Sequence, residues 1–167
     1  MTKRFNGRLI KVFERKQRLP NGQIVNLEIV KHPGAVLIIP FLNKRKIVFI
    51  KQYRPVVGIY IYELPAGTLR KGESHINCAQ RGLKEEIGYS AKKLFKIGEI
   101  FPAPGYTTEK ILVYKAENLK KKKDIFPEKD EIITSDIFTQ RKTRQLFESS
   151  KIVDAKTICA LAMCGWL

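Results

Sequence analysis

The chain has 167 residues, 44% of them hydrophobic and 29% charged, and its 32 Lys+Arg outnumber 16 Asp+Glu for a net charge of +16. That composition excludes bulk disorder, and a domain of this length buries about 70% of its unfolded surface, enough for a core without covalent staples. Three cysteines, Cys78, Cys159 and Cys164, are an odd number without C-x-x-C spacing, which argues against a disulfide framework and a structural zinc site.

In chain order, residues 8–19 and 24–31 are β-prone and flank Pro20-Asn21-Gly22-Gln23, an Asn-Gly hairpin signal. Residues 35–39 form a short apolar run between Pro33-Gly34 and Pro40, as a buried strand would. Residues 46–53 follow as a strand, with Val48 and Ile50 on one face and Ile47, Phe49 and Lys51 on the other. Residues 59–64 are β-rich and stop at Pro65-Ala66-Gly67, which reads as a loop. The clearest helix opens at Ser74: Ile76, Ala79, Leu83 and Ile87 recur every three or four residues, and Gly88 closes it. Residues 92–100 and 110–116 are strands around the loop 101–106, and residues 132–138 are another. Residues 140–149 and 154–166 read as helices, the last with Ile158, Leu161, Ala162 and Gly165 on one face. Many strands, one helix, more strands and two helices describe an α+β domain rather than regular βαβ winding.

The longest apolar stretches, residues 35–42 and 157–167, fall short of the ~18 residues that span a bilayer. No apolar stretch follows Lys3 and Arg4, so no secretory signal is expected. A reducing, cytoplasmic location is the expectation. The positive charge favours anionic partners. It is carried by 22 Lys against 10 Arg, spread along the chain, with one run at residues 120–123 that reads as a loop. Planar recognition of phosphates and bases would favour arginine. Nucleic acid therefore stays open as a partner without being favoured, and no membrane partner is expected.

The chemistry concentrates in Gly67-Thr68-Leu69-Arg70-Lys71-Gly72-Glu73 and the helix end Arg81-Gly82-Leu83-Lys84-Glu85-Glu86-Ile87-Gly88-Tyr89. Glu85 and Glu86 fall in the last helical turn, off the apolar stripe, where carboxylates oppose the helix dipole. Bound Mg²⁺, a hard cation that takes oxygen ligands, would compensate them. Such a metal polarises a phosphoryl oxygen and activates a water. On its own a Glu-Glu pair is more often a solvated helix surface.

The spacing of Gly67, Glu73, Arg81, Leu83, Glu85, Glu86, Gly88 and Tyr89 resembles the signature of the Nudix hydrolases. Gln52-Tyr53-Arg54-Pro55, Glu63-Leu64-Pro65-Ala66-Gly67, Ala103-Pro104-Gly105 and Asp154-Ala155-Lys156-Thr157 are similar to the ADP-ribose pyrophosphatase branch. The resemblance implies a Nudix α/β/α sandwich with a mixed β-sheet over residues 33–167. It implies that residues 1–32 form an N-terminal β-hairpin extension that makes a homodimer. It implies Mg²⁺- or Mn²⁺-dependent hydrolysis of a nucleoside diphosphate sugar, foremost ADP-ribose, to AMP and ribose 5-phosphate. By the same resemblance the Ala66 carbonyl, Glu85 and Glu86 are metal ligands, and Arg54, Glu63 and Gly105 bind substrate. Glu73 and Arg81 would organise the loop as a pair. The general base falls in the acidic loop 127–131, with Glu131 ahead of Glu128.

One position departs from the signature: Gly82 stands where the family has a metal-binding glutamate. Glycine also weakens a helix by about 1 kcal/mol relative to Ala. Three readings stay open. A water replaces the ligand, the site holds fewer metals, or catalysis is lost and a nucleotide- or RNA-binding module remains. Another nucleotide sugar or a dinucleoside polyphosphate is the alternative substrate. His32 and His75, the only histidines, suggest no nucleophilic triad.

Overall fold

The computed structural model describes residues 1–122 and 132–167. The N-terminal part is a three-stranded antiparallel sheet of β1 (Thr2–Asn6), β2 (Lys11–Arg18) and β3 (Ile24–Lys31). The expected hairpin is β2–β3, with Arg18 opposite Ile24 and Gly22 in the left-handed region at φ 85°. Strand β1, which the sequence does not signal, pairs with β2.

The main sheet runs β10-β5-β4-β9-β8. Its members are β4 (Ala35–Asn43), β5 (Lys46–Arg54), β8 (Tyr89–Ile100), β9 (Ile111–Lys121) and β10 (Ile133–Thr139). Two shorter strands join it: β6 (Ile59–Glu63) on β5, and β7 (Ala66–Thr68) on β4. Strands β4 and β9 are parallel and the other pairs antiparallel, so the sheet is mixed.

Both faces of this sheet are covered, which explains why β4 reads as a continuous apolar run rather than an alternating one. Val36, Ile38, Val48 and Ile50 pack with Cys78, Ala79, Leu83 and Ile87 of α1 (His75–Ile87). Leu37, Ile39, Phe49 and Val113 face the other way, against Ala160, Leu161 and Trp166. That second layer is built by α2 (Gln140–Glu148) and α3 (Ala155–Met163). Leu37, Ile39 and Phe49 are fully buried, and side chains of this kind contribute about 1.5–3 kcal/mol each.

Several boundaries differ from the sequence reading. Strand β4 continues through Pro40, whose pairing with Ala116 on β9 survives, and the irregularity falls later, between Phe41 and Asn43. The segment after Pro65 is a short strand rather than a loop, because Ala66 and Gly67 pair with Leu37 and Val36. The lysine run begins inside β9 rather than in a loop. Ile76 is 44% exposed, and Cys78 and Gly82 take its place on the buried side of α1. The buried side of α3 is Thr157, Ala160 and Leu161, while Ala162 and Gly165 are exposed. Among the described residues, no helix is long and apolar enough to cross a membrane.

Candidate active site

The loop between β7 and α1 is organised by one arginine. Arg81 Nε donates to Glu73 Oε1 at 2.8 Å, and Nη2 donates to Glu73 Oε2 at 3.0 Å and to the Thr68 carbonyl at 2.9 Å. Nη1 reaches Glu85 Oε2 at 3.0 Å. Glu73 also accepts the Arg70 amide at 3.0 Å. Hydrogen bonding from Arg81 is the main reason the Glu73 carboxyl is held down to about 2. The expected Glu73–Arg81 pairing is thus present, and it fixes the loop to the helix.

Local sequence sets the helix itself. Ser74 Oγ accepts the Asn77 amide at 3.2 Å, and Gly88, at φ 71°, donates back to the Leu83 and Lys84 carbonyls. Gly67 allows the close approach of β7 to α1, since a Cβ there would stand 3.0 Å from Cys78 Sγ. Cys78 is wholly buried and donates to the Gly67 carbonyl at 3.3 Å. Burial pushes its thiol up to about 11, so it is a packing group rather than a nucleophile.

These elements line one cavity of about 700 Å³. Glu85, Glu86 and Ala66 line it, and the Ala66 amide donates to Glu86 Oε2 at 3.3 Å. Arg54 lines it too and grips Glu63 with a fork, Nε to Oε1 and Nη2 to Oε2, each at 2.6 Å. Glu63 is completely buried. Burial raises its carboxyl, but Arg54 and Lys156 together outweigh that effect and its pKa falls below the ordinary value. Lys156 Nζ bonds Glu63 Oε2 and lies 2.9 Å from Asp154 Oδ1. Arg8 and Leu9, from the connection between β1 and β2, also line it.

The structure therefore brings together Arg54, Glu63, Ala66, Glu85 and Glu86. Gly105 lies in an exposed turn and is not among the lining residues; Pro102 and Glu109 of the same stretch are. Glu128 and Glu131 lie outside the described residues. His75 is exposed, and His32 Nδ1 accepts the Gly34 amide at 3.1 Å. Lys156 and Asp154 acquire a place in the site that spacing alone does not assign them. The only sequence signal was the Asp154-Ala155-Lys156-Thr157 stretch before a helix.

A metal held by the carboxylates of Glu85 and Glu86 and the Ala66 carbonyl would meet an all-oxygen donor set. Among the described residues no cluster of three or more His, Cys, Asp or Glu side chains forms a ready cage. Hard donors short of a full set suit a divalent cation that keeps several waters. Gly82 faces this point. A Cβ built on it would lie 3.8 Å from the Ala66 carbonyl oxygen and 3.6 Å from Ile38, both ordinary contacts.

Comparison with known proteins agrees with this geometry. A family model described as NUDIX domain matches residues 31–154. The ADP-ribose pyrophosphatase of Bacillus subtilis (strain 168) is 39% identical over 160 residues, 94% of this chain and 85% of that one. The methanol dehydrogenase activator of Bacillus methanolicus is 37% identical over 158 residues, with the same coverage of 94% and 85%. A crystal structure of an ADP compounds hydrolase superposes with a TM-score of 0.82, at 23% identity, over 97% of this chain and 88% of that one, and establishes likeness of fold. The arginine-locked loop and helix lie inside the matched segment, which with a relative aligned over nearly the whole length makes this chain a member of the Nudix domain family.

Proposed function

We propose that this chain is a divalent-metal-dependent pyrophosphatase of nucleoside diphosphate sugars, foremost ADP-ribose, which it splits with water into AMP and ribose 5-phosphate. One observation carries the reading. A single cavity is lined both by the oxygen donors Ala66, Glu85 and Glu86 and by the Arg54 guanidinium. A diphosphate is anionic and suits a site that offers a metal and a guanidinium together. The names of relatives, ADP-ribose pyrophosphatase among them, support the same substrate class.

Mg²⁺ or Mn²⁺ held by Glu85, Glu86 and the Ala66 carbonyl would polarise a phosphoryl oxygen and acidify a water. The chain's own groups do the rest. Arg54 spends Nε and Nη2 on Glu63 and presents its remaining nitrogen, Nη1, for a phosphate oxygen. Glu63 orients that guanidinium from beneath. Arg81 holds Glu85 at 3.0 Å and so fixes one carboxylate. Glu131, then Glu128, is our choice for the base that takes the proton from the attacking water. Both follow from the acidic loop 127–131 in the sequence.

We divide the chain into residues 1–32, an extension for homodimerisation, and residues 33–167, the catalytic domain. The three-stranded N-terminal sheet supports this, because Phe13 is its one buried side chain. Gly82 motivates a second reading, a Nudix domain that binds nucleotide without turning it over.

A substrate panel tests the proposal. ADP-ribose, other nucleotide sugars and dinucleoside polyphosphates are compared by kcat/KM with Mg²⁺ and with Mn²⁺. ADP-ribose is expected to lead. A dinucleoside polyphosphate in first place would overturn the substrate, and tight ADP-ribose binding with no turnover of any member would favour the binding module.

A further inference from the structure

Lys156 belongs to the first turn of α3, and its side chain is only 17% exposed. Its ammonium bonds two carboxylates, Glu63 and Asp154, the second at 2.9 Å. The next residue, Thr157, accepts the Leu64 amide on its hydroxyl at 2.9 Å. The start of α3 is therefore fastened to the end of β6 twice, by side chain to side chain and by side chain to backbone. Asp154 also caps the helix, accepting the Thr157 amide at 3.0 Å.

Four charges alternate in the lining of the cavity: Arg54, Glu63, Lys156 and Asp154. Together they sum to zero. Without Lys156 the group carries a net negative charge, which repels a diphosphate. Glu63, completely buried, would then have Arg54 as its sole cation here, and a buried charge with too little compensation rearranges its neighbours. The guanidinium would turn further onto Glu63 and Asp154 and away from the cavity.

We propose that Lys156 is a positioning residue: by neutralising Glu63 and Asp154 it keeps the Arg54 guanidinium aimed into the cavity for a diphosphate oxygen. The diphosphate part of this rests on the function proposed above. The orientation of Arg54 does not, and it can be read without substrate.

The test uses the full chain with Lys156→Met and Lys156→Arg. The first readout is the Arg54 Nε–Hε signal in an ¹H–¹⁵N spectrum, assigned by its loss in Arg54→Lys. Lys156→Met is expected to shift or broaden it, and Lys156→Arg to leave it close to the wild-type position. Should Lys156→Met fail to fold, Lys156→Gln removes the same charge and carries the readout. The second readout is kinetic: Lys156→Met raises KM for ADP-ribose about ten-fold, more than it lowers kcat, with Lys156→Arg restoring most of the loss. An unmoved Arg54 signal in a folded charge-free variant overturns the proposal, as does a KM left at the wild-type value. A moved signal in a protein that neither binds nor hydrolyses ADP-ribose upholds the positioning role and overturns the substrate.

Discussion

Glu73 shows at one residue how the box is held. Its carboxyl titrates near 2 instead of 4.5, chiefly through the hydrogen bonds from Arg81. In that window the unfolded chain binds the proton more readily, so stability falls as pH drops from about 4.5 to about 2. Above it the contribution is complete. Acid unfolding of Glu73→Gln should show a flatter slope across this window, and an unchanged slope would remove Glu73 as its source. Gly82 bears on the chemistry. The space beside the Ala66 carbonyl accepts a Cβ in ordinary contact, and replacing a helical glycine gains roughly 1 kcal/mol. Gly82→Glu is therefore expected to fold and to raise turnover by adding an oxygen donor. Unchanged or lower turnover in a folded variant would show that this position does not limit the rate.

Among the elements, α1 was the most legible, because its signals are local: Ser74 at the start, Gly88 at the end and the apolar steps between them. The pairing of Glu73 with Arg81 was legible for the same reason, being eight residues long. The Glu63–Lys156 contact spans 93 residues and has no local signal. Strand β1 went unread because all five of its residues are exposed, so no buried face imposes a period on the sequence. Strand β7 exists through its partner β4 rather than its own three residues. On α3 the buried Thr157 lies outside the face read from the sequence, Ile158, Leu161, Ala162 and Gly165, and its hydroxyl serves the Leu64 amide. Thr157→Val keeps the shape and leaves that amide unpaired, at a cost of about 1–3 kcal/mol. Chemical denaturation should show the loss, and an unchanged midpoint would mean the bond contributes nothing net.

At the scale of the whole molecule, a sheet covered by helices on both faces carries a second, three-stranded sheet in which Phe13 alone is buried. Phe5, Leu9 and Ile24 of the N-terminal part are each more than half exposed. Yet this part is tied to the site, since the Val30 amide donates to the Tyr106 carbonyl at 2.8 Å and Thr108 donates back to Val30 at 3.0 Å. The homodimer proposed above would cover this exposed apolar surface. Sedimentation is expected to give the mass of two 19.2 kDa chains, and the mass of one chain would contradict the dimer. Hydrolysis of a nucleoside diphosphate sugar in the cavity lined by Arg54 and Glu86 is read out by AMP release from ADP-ribose with Mg²⁺, measured side by side for the wild type and Glu86→Gln. Turnover is expected from the wild type and its loss from a folded Glu86→Gln. Equal turnover by the two proteins, or none by a wild type that binds ADP-ribose, would refute hydrolysis at this site.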